Sequence, residues 1–276
     1  MNSSSAFRIG STHKVCQDYA VSGKGLDGLY VAISDGCSSS PNSEFGAMIQ
    51  CRAFELIHKT IDYNDPFKTQ VLLEKIRSVA DLLKMPYTCL DATLLTAVVQ
   101  GNRVRVDCVG DGIVAVMNKD DSVTLIDVEF ISNAPLYYSY FLEPGRLRSF
   151  VEMFGKKRKV TTRFFSSEGD FNITTETSDC SLENIPVSFS FDTDKTKLVS
   201  VMSDGVKSFF QTVDSGVSRT NQDVPFQESV MELMLVKSFS GDFMERRMNK
   251  FLKMCEKDGV KHADDVSVGT IYIGEE

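Results

Sequence analysis

The chain has 276 residues, 42% hydrophobic and 25% charged, with 38 acidic against 30 basic side chains and a net charge of −8. That is globular composition with length for one large core or two small ones. The acidic balance argues against a nucleic-acid surface, which needs a basic face.

In chain order, Leu29-Tyr30-Val31-Ala32-Ile33 is an apolar run ending in Ser34-Asp35-Gly36. It reads as a strand over 28–34 that delivers a carboxylate at a sheet end, after which glycine lets the backbone turn. Residues 44–62 read as a helix with Phe45, Met48, Ile49, Ala53, Leu56, Ile57 and Ile61 on one face. Asn64-Asp65-Pro66 stops it and starts another, marked by Leu72, Ile76, Val79 and Leu83. From Ala92 the period changes to that of strands: Thr93–Val99, Val104–Val109, Ile113–Met117 and Val123–Ile126 form a meander. Val109-Gly110-Asp111-Gly112 gives a second acidic strand end. Residues 128–197 are irregular and rich in aromatics, with a flap expected over about 128–190. Leu198–Met202 is another alternating run, ending in Ser203-Asp204-Gly205. A short helix is expected over Val206–Gln211, longer ones over 225–238 and 243–257, and a closing strand over Asp265–Ile273, opened by Asp264-Asp265. No linker or repeat divides the chain, so one domain of residues 1–276 is expected. Strands in runs with helices in pairs predict α+β layers, two sheets flanked by helices.

Seven cysteines are scattered with no C-x-x-C, and read as small reduced core residues. Residues 1–5 lack the features of a signal peptide, and no apolar run approaches the roughly 18 residues of a membrane span. The expectation is a cytoplasmic protein with no membrane or nucleic-acid partner. Lys156-Lys157-Arg158-Lys159 reads as a solvated face, as does His58. Asp18, Asp35, Asp111, Asp204 and the pair Asp264-Asp265 are what remains that is chemically distinctive. Carboxylates repeated at strand ends suit a hard-cation site between sheets.

Six elements then match one family in order: Gly10-x-x-His13-x-x-x-Gln17-Asp18, Ser34-Asp35-Gly36 before a helix, Asp91-Ala92-Thr93-Leu94, Gly110-Asp111-Gly112, Ser203-Asp204-Gly205 and Asp264-Asp265-Val266-Ser267-Val268. The chain resembles the metal-dependent protein phosphatases of type 2C, the PPM family, in its bacterial members. The resemblance implies a four-layer α-β-β-α sandwich with a central antiparallel β-sandwich. It implies a phosphoprotein phosphatase acting on phospho-Ser/Thr through a metal-activated water at a centre of two Mg²⁺ or Mn²⁺ ions, with a weaker third. By position, Asp35 bridges the two ions, the Gly36 carbonyl binds the second, Asp204 and Asp264 bind the first, Asp18 holds metal-bound water, and Asp111 matches the third-ion position. Asp265 is then a strand-start residue, and His13 stands where relatives carry a phosphate-gripping Arg. Implied partners are a phosphorylated protein and a cognate Ser/Thr kinase. Departures are Gln17 for an acidic residue, Cys37 for a His, Ile113 for an Arg and Ser208 for an Asp. They support an alternative: a weak or inactive regulatory module that binds a phosphoprotein or kinase. A third reading is a phosphatase for a small phosphorylated metabolite.

Overall fold

The computed structural model describes residues 1–61, 68–180, 185–214 and 219–274. Seven strands form one sheet in the order β1-β15-β11-β6-β7-β8-β9, and five form another in the order β10-β5-β4-β3-β2. The first sheet comprises β1 (Asn2–Arg8), β6 (Gly112–Asn118), β7 (Val123–Phe130), β8 (Lys157–Phe165), β9 (Phe171–Asp179), β11 (Thr196–Met202) and β15 (Val266–Tyr272). The second comprises β2 (Asp18–Lys24), β3 (Leu29–Asp35), β4 (Leu94–Gln100), β5 (Arg103–Val109) and β10 (Val187–Asp192). Pairings within both are antiparallel.

The strands that carry the site are apolar on both faces because both faces are covered. Val31 and Ile33 of β3 meet Val114 and Val116 of β6 and Val199 and Val201 of β11 in a core between the sheets. The alternate residues Tyr30 and Ala32 pack outward against α1 (Ser43–Thr60) and α2 (Lys68–Leu82). On the opposite side Ile113, Ala115, Leu198 and Met202 pack against α4 (Phe226–Met234) and α5 (Phe243–Lys257). Three apolar cores separating helices, sheet, sheet and helices make the four-layer α-β-β-α sandwich. No helix of the described residues is long and apolar enough to cross a membrane.

Several local readings are corrected. His58 is not solvated: it is 1% exposed, stacked on Phe54 and edge-on to Tyr30. Phe45 and Leu56 are exposed, since α1 buries Ala47, Gln50, Cys51 and Phe54 between sheet and neighbouring helix. Arg158 in the basic run is buried, donating to the Ile185 carbonyl, while Lys159 pairs with Glu129. Val206–Gln211 is not a helix. A single 3₁₀ turn over Asp204–Lys207 leads into β12 (Phe209–Asp214), which pairs with β13 (Arg219–Asp223) and β14 (Val260–His262) in a small third sheet. The Asn64-Asp65-Pro66 stop lies outside the described residues. The 128–190 segment contains α3 (Pro144–Phe154) and the β8–β9 hairpin, which extends the larger sheet. All seven cysteines are free thiols, five of them buried.

Candidate active site

Antiparallel pairing brings acidic strand ends to one edge of the sandwich. β2 begins at Asp18 and β3 ends at Asp35, and these two are direct partners in register. β11 ends just before Asp204, and β15 begins just after Asp264 and Asp265. Asp111 sits in the turn by which the chain passes from β5 in one sheet to β6 in the other, between Gly110 at φ 84° and Gly112 at φ 144°. Both angles are in the region that favours glycine, so the tight inter-sheet turn depends on them.

Hydrogen bonds lock this edge. The Asp35 N–H donates to Thr93 Oγ1 at 2.9 Å, and the Thr93 N–H donates to the Asp35 carbonyl at 2.8 Å. The Gly36 N–H reaches the Gln17 carbonyl at 3.1 Å. Ser203 joins the two sheets: its hydroxyl donates to Asp18 Oδ2 at 2.7 Å and accepts from the Ser267 N–H at 2.9 Å. Asp265, 1% exposed, accepts from the N–H groups of Gly10 (2.6 Å) and Gln17 (2.5 Å) and so ties the loop before β2 to the start of β15. Asp264 keeps 42% of its side chain exposed. Thus the adjacent acids differ: one is a buried backbone anchor and the other faces the edge.

The carboxylates feel one another. Burial pushes Asp35 well above the ordinary carboxylate range, and the charges of Asp18, Asp204 and Asp264 push it further. Asp18 is raised by burial against the hydrogen bond from Ser203, and its Oδ1 is buried with no hydrogen-bond partner. Asp111 is raised by burial and by Asp204, with Lys207 acting the other way. Such mutual destabilisation of anions is relieved by protons or cations. The donor set is all oxygen and all carboxylate, the chemistry of hard divalent ions. Among the described residues, no group of three or more His, Cys, Asp or Glu side chains is already arranged to hold a metal ion. The electrostatics therefore fit cations, while the side chains stand apart from a finished coordination sphere.

Around the acids, His13 places Nδ1 3.0 Å from Asp265 Oδ2, at ion-pair range but off the N–H direction, and Nε2 3.5 Å from Asp264 Oδ1. Gln17 has both ends of its amide engaged, by Ser43 and Ser38. Ile113 lies in the core, and Ser208 closes the turn by donating to the Gly205 carbonyl and accepting from the Asp264 N–H. Cys37 Sγ lies 3.1 Å from Ser39 Oγ, and its N–H donates to the Asp91 carbonyl. His262 is bonded through Nδ1 to the Asp264 carbonyl and packs on Phe209.

Three residues at this edge escape sequence reasoning. The Tyr137 phenol is buried, its pKa driven up by burial and by the nearby Cys37, Asp111 and Asp35. Lys207 bonds Asp127 at 2.7 Å and Glu129 at 3.0 Å beside Asp111. Arg146 of α3 grips both oxygens of Asp91 at 2.9 and 2.8 Å, with Ser139 and Ser40 completing the cluster. The aromatic richness of Pro135–Phe141 was the one available signal for Tyr137.

Comparison with known proteins agrees. Residues 10–138 match the family described as Protein phosphatase 2C. No curated protein sequence matches the chain. Among solved structures, a bacterial serine phosphatase aligns with TM-score 0.58 at 11% identity, covering 100% of this chain and 99% of that one. The Staphylococcus aureus serine/threonine phosphatase Stp1 aligns with TM-score 0.55 at 11% identity over 100% and 96% of the two chains. The catalytic domain of the serine threonine protein phosphatase PstP, in complex with two manganese ions, aligns with TM-score 0.51 at 13% identity over 97% and 96%. Residues 10–138, which include the acidic strand ends at Asp18, Asp35 and Asp111, are similar to the family described as Protein phosphatase 2C, and over its length the chain shares the fold of solved bacterial serine/threonine phosphatases.

Proposed function

We propose that the chain is a single-domain, metal-dependent hydrolase of phosphoserine and phosphothreonine in proteins, working in cytoplasmic signalling opposite a Ser/Thr kinase. The observation that carries this reading is the Asp18–Asp35 pair, Asp18 buried with one oxygen that has no partner and Asp35 half-buried, facing Asp204 across the sandwich edge. Asp35 would bridge two Mg²⁺ or Mn²⁺ ions, Asp204 and Asp264 would hold the first, the Gly36 carbonyl the second, and Asp111 a weaker third. When bound, such a pair supplies an acidified water and neutralises charge on the phosphoryl oxygens.

The residues of the chain do the rest. Thr93 fixes the Asp35 backbone, and the Ser203 hydroxyl orients Asp18. His13, its pKa raised by Asp265 and Asp264 against the opposing effect of burial, supplies a positive edge suited to a phosphate. The 128–190 segment, latched at Asp91, lies beside the site and is the flap through which phosphoproteins would be chosen.

A second reading has specific support. Gln17 is a neutral amide already engaged by two serines, and Ile113 occupies the core where relatives carry Arg. These favour a weak or inactive module that binds a phosphoprotein or kinase. Hydrolysis of an aryl phosphate and of a phosphothreonine peptide, each with and without Mn²⁺, separates the two. Mn²⁺-dependent turnover that disappears in a folded Asp35→Asn protein supports the enzyme. No turnover of either substrate with Mn²⁺ or Mg²⁺ supports the module.

A further inference from the structure

Asp91 is bonded from two sides at once. Its backbone carbonyl accepts from the Cys37 N–H at 2.8 Å, and its Oδ2 accepts from the Ser40 hydroxyl at 2.8 Å. Both donors belong to the loop that leaves β3 after Gly36. From the other side, the Ser139 hydroxyl donates to Oδ1 at 2.5 Å, and Nη2 of Arg146 on α3 donates to both oxygens at 2.9 and 2.8 Å. One buried carboxylate therefore ties residues 37–40 to α3 and the turn before it.

The tie reaches the Gly36 carbonyl through the geometry of the peptide bond. The Gly36 C=O and the Cys37 N–H share one planar trans peptide and point in opposite directions. The Cys37 N–H is aimed at the Asp91 carbonyl, so the Gly36 oxygen is turned away from Asp91. On its other side Gly36 bridges Ala92, and Thr93 holds Asp35. Residues 91–93 thus set where that oxygen faces. Asp91 has a short side chain, so anchoring its carboxylate also anchors its backbone. Arg146 is itself confined: its guanidinium lies 4.8 Å over the Tyr140 ring, and that ring packs on Phe150 of α3 at 4.4 Å. An ion pair this deep costs desolvation that an apolar contact avoids. What it secures is one arrangement of loop and helix.

We propose that Arg146 and Ser139 are positioning residues for the Gly36 carbonyl, acting on it through Asp91, so that α3 and the loop after β3 order and loosen together. The coupling belongs to the chain without any ion; that it serves the second metal ion rests on the function proposed above. Coupling of this kind is reciprocal. Whatever fixes the Gly36 carbonyl also quiets α3, and a partner that orders α3 tightens the second ion.

Hydrogen exchange of the full chain in EDTA tests the coupling. Arg146→Ala should speed exchange of the Cys37 and Ser40 amides together with those of α3, by a common factor of about tenfold, while α5 amides keep their rates. Arg146→Lys should restore most of the protection. Ser139→Ala, which removes a hydroxyl and no charge, should give a smaller change in the same amides, and it decides the matter where Arg146→Ala does not fold. Electron paramagnetic resonance titration with Mn²⁺ reads the target. The weaker ion should lose about fivefold to tenfold in affinity in Arg146→Ala, and the tighter ion less than about twofold. Mn²⁺ should in turn slow α3 exchange in the unaltered protein. Faster exchange confined to α3, or equal weakening of both ions, would overturn the proposal. Coupled exchange in a protein that binds no Mn²⁺ would sustain the latch and overturn the metal reading instead.

Discussion

Asp18, buried, and Asp35, half-buried, sit directly opposite each other on β2 and β3, and the Asp18 charge raises the cost of ionising Asp35. Two like charges held this close are destabilising unless something positive lies between them. In EDTA, Asp35→Asn should therefore raise stability by about 1–2 kcal/mol, or roughly 2–5 °C in melting temperature. Mn²⁺ should raise the melting temperature of the unaltered protein and leave that of the variant nearly unchanged. Calorimetric scans with and without Mn²⁺ check this. A variant less stable in EDTA would mean that the pair is held by contacts other than mutual repulsion.

Asp265 and Asp264 should separate in a stability assay. Asp265→Ala removes the acceptor for the Gly10 and Gln17 N–H groups and strands one buried and one half-buried donor, at about 1–3 kcal/mol. Asp264→Ala, at a half-exposed position, should cost less than about 1 kcal/mol in urea denaturation without metal. Equal losses would assign both acids the same structural role.

Arg146 holds Asp91 with both carboxylate oxygens, and Asp91 is only 4% exposed. Arg146→Ala leaves that charge buried without its cation, and α3 should loosen from the site edge. Hydrogen exchange of α3 amides should quicken about tenfold or more. Arg146→Lys should largely restore it, since one nitrogen, Nη2, makes both contacts and a single ammonium can take its place. Unchanged exchange in Arg146→Ala would show that packing of Phe150, not the ion pair, fixes α3.

Acid sensitivity should arise partly on α1. Desolvation opposes ionisation of Glu55, yet hydrogen bonds from Lys59, Arg52 and Tyr30 lower it to about 2. A carboxylate depressed in the folded state stabilises above its unfolded pKa near 4.3, and that stability is lost as pH falls toward 2. Solvent screening of Lys59 and Arg52, both about half exposed, holds the effect to about 1 kcal/mol. Urea denaturation between pH 2 and 6 should show a flatter acid limb in Glu55→Gln. Parallel limbs would remove Glu55 from the account.

The acidic edge was legible because its signal is local. Asp35 and Asp204 each close an alternating apolar run, and strand ends in an antiparallel sandwich must gather at its two edges. What was not legible depends on contacts distant in sequence. His58 lies among the charged Glu55 and Lys59, but the helix turns it onto Tyr30 of β3. Asp91 and Arg146 meet across 55 residues, and neither position announces the other. Arg158 sits in a run of cations that composition reads as solvated, yet strand alternation turns it alone inward to the Ile185 carbonyl.

The placement of β15 between β1 and β11 has a bearing on how the protein is made. The sheet's first strand has no neighbour until a strand more than 250 residues later slides in beside it. That late strand is preceded by Asp264 and Asp265, and its Ser267 meets Ser203. During synthesis, the ribosome releases every other acid of the edge before the strand that closes it. A nascent chain halted short of β15 would expose the flanks of β1 and β11 as open edges and hold an incomplete acidic cluster. Assembly of the site is therefore a late, concerted event, so that premature termination yields an aggregation-prone fragment rather than a partly working one.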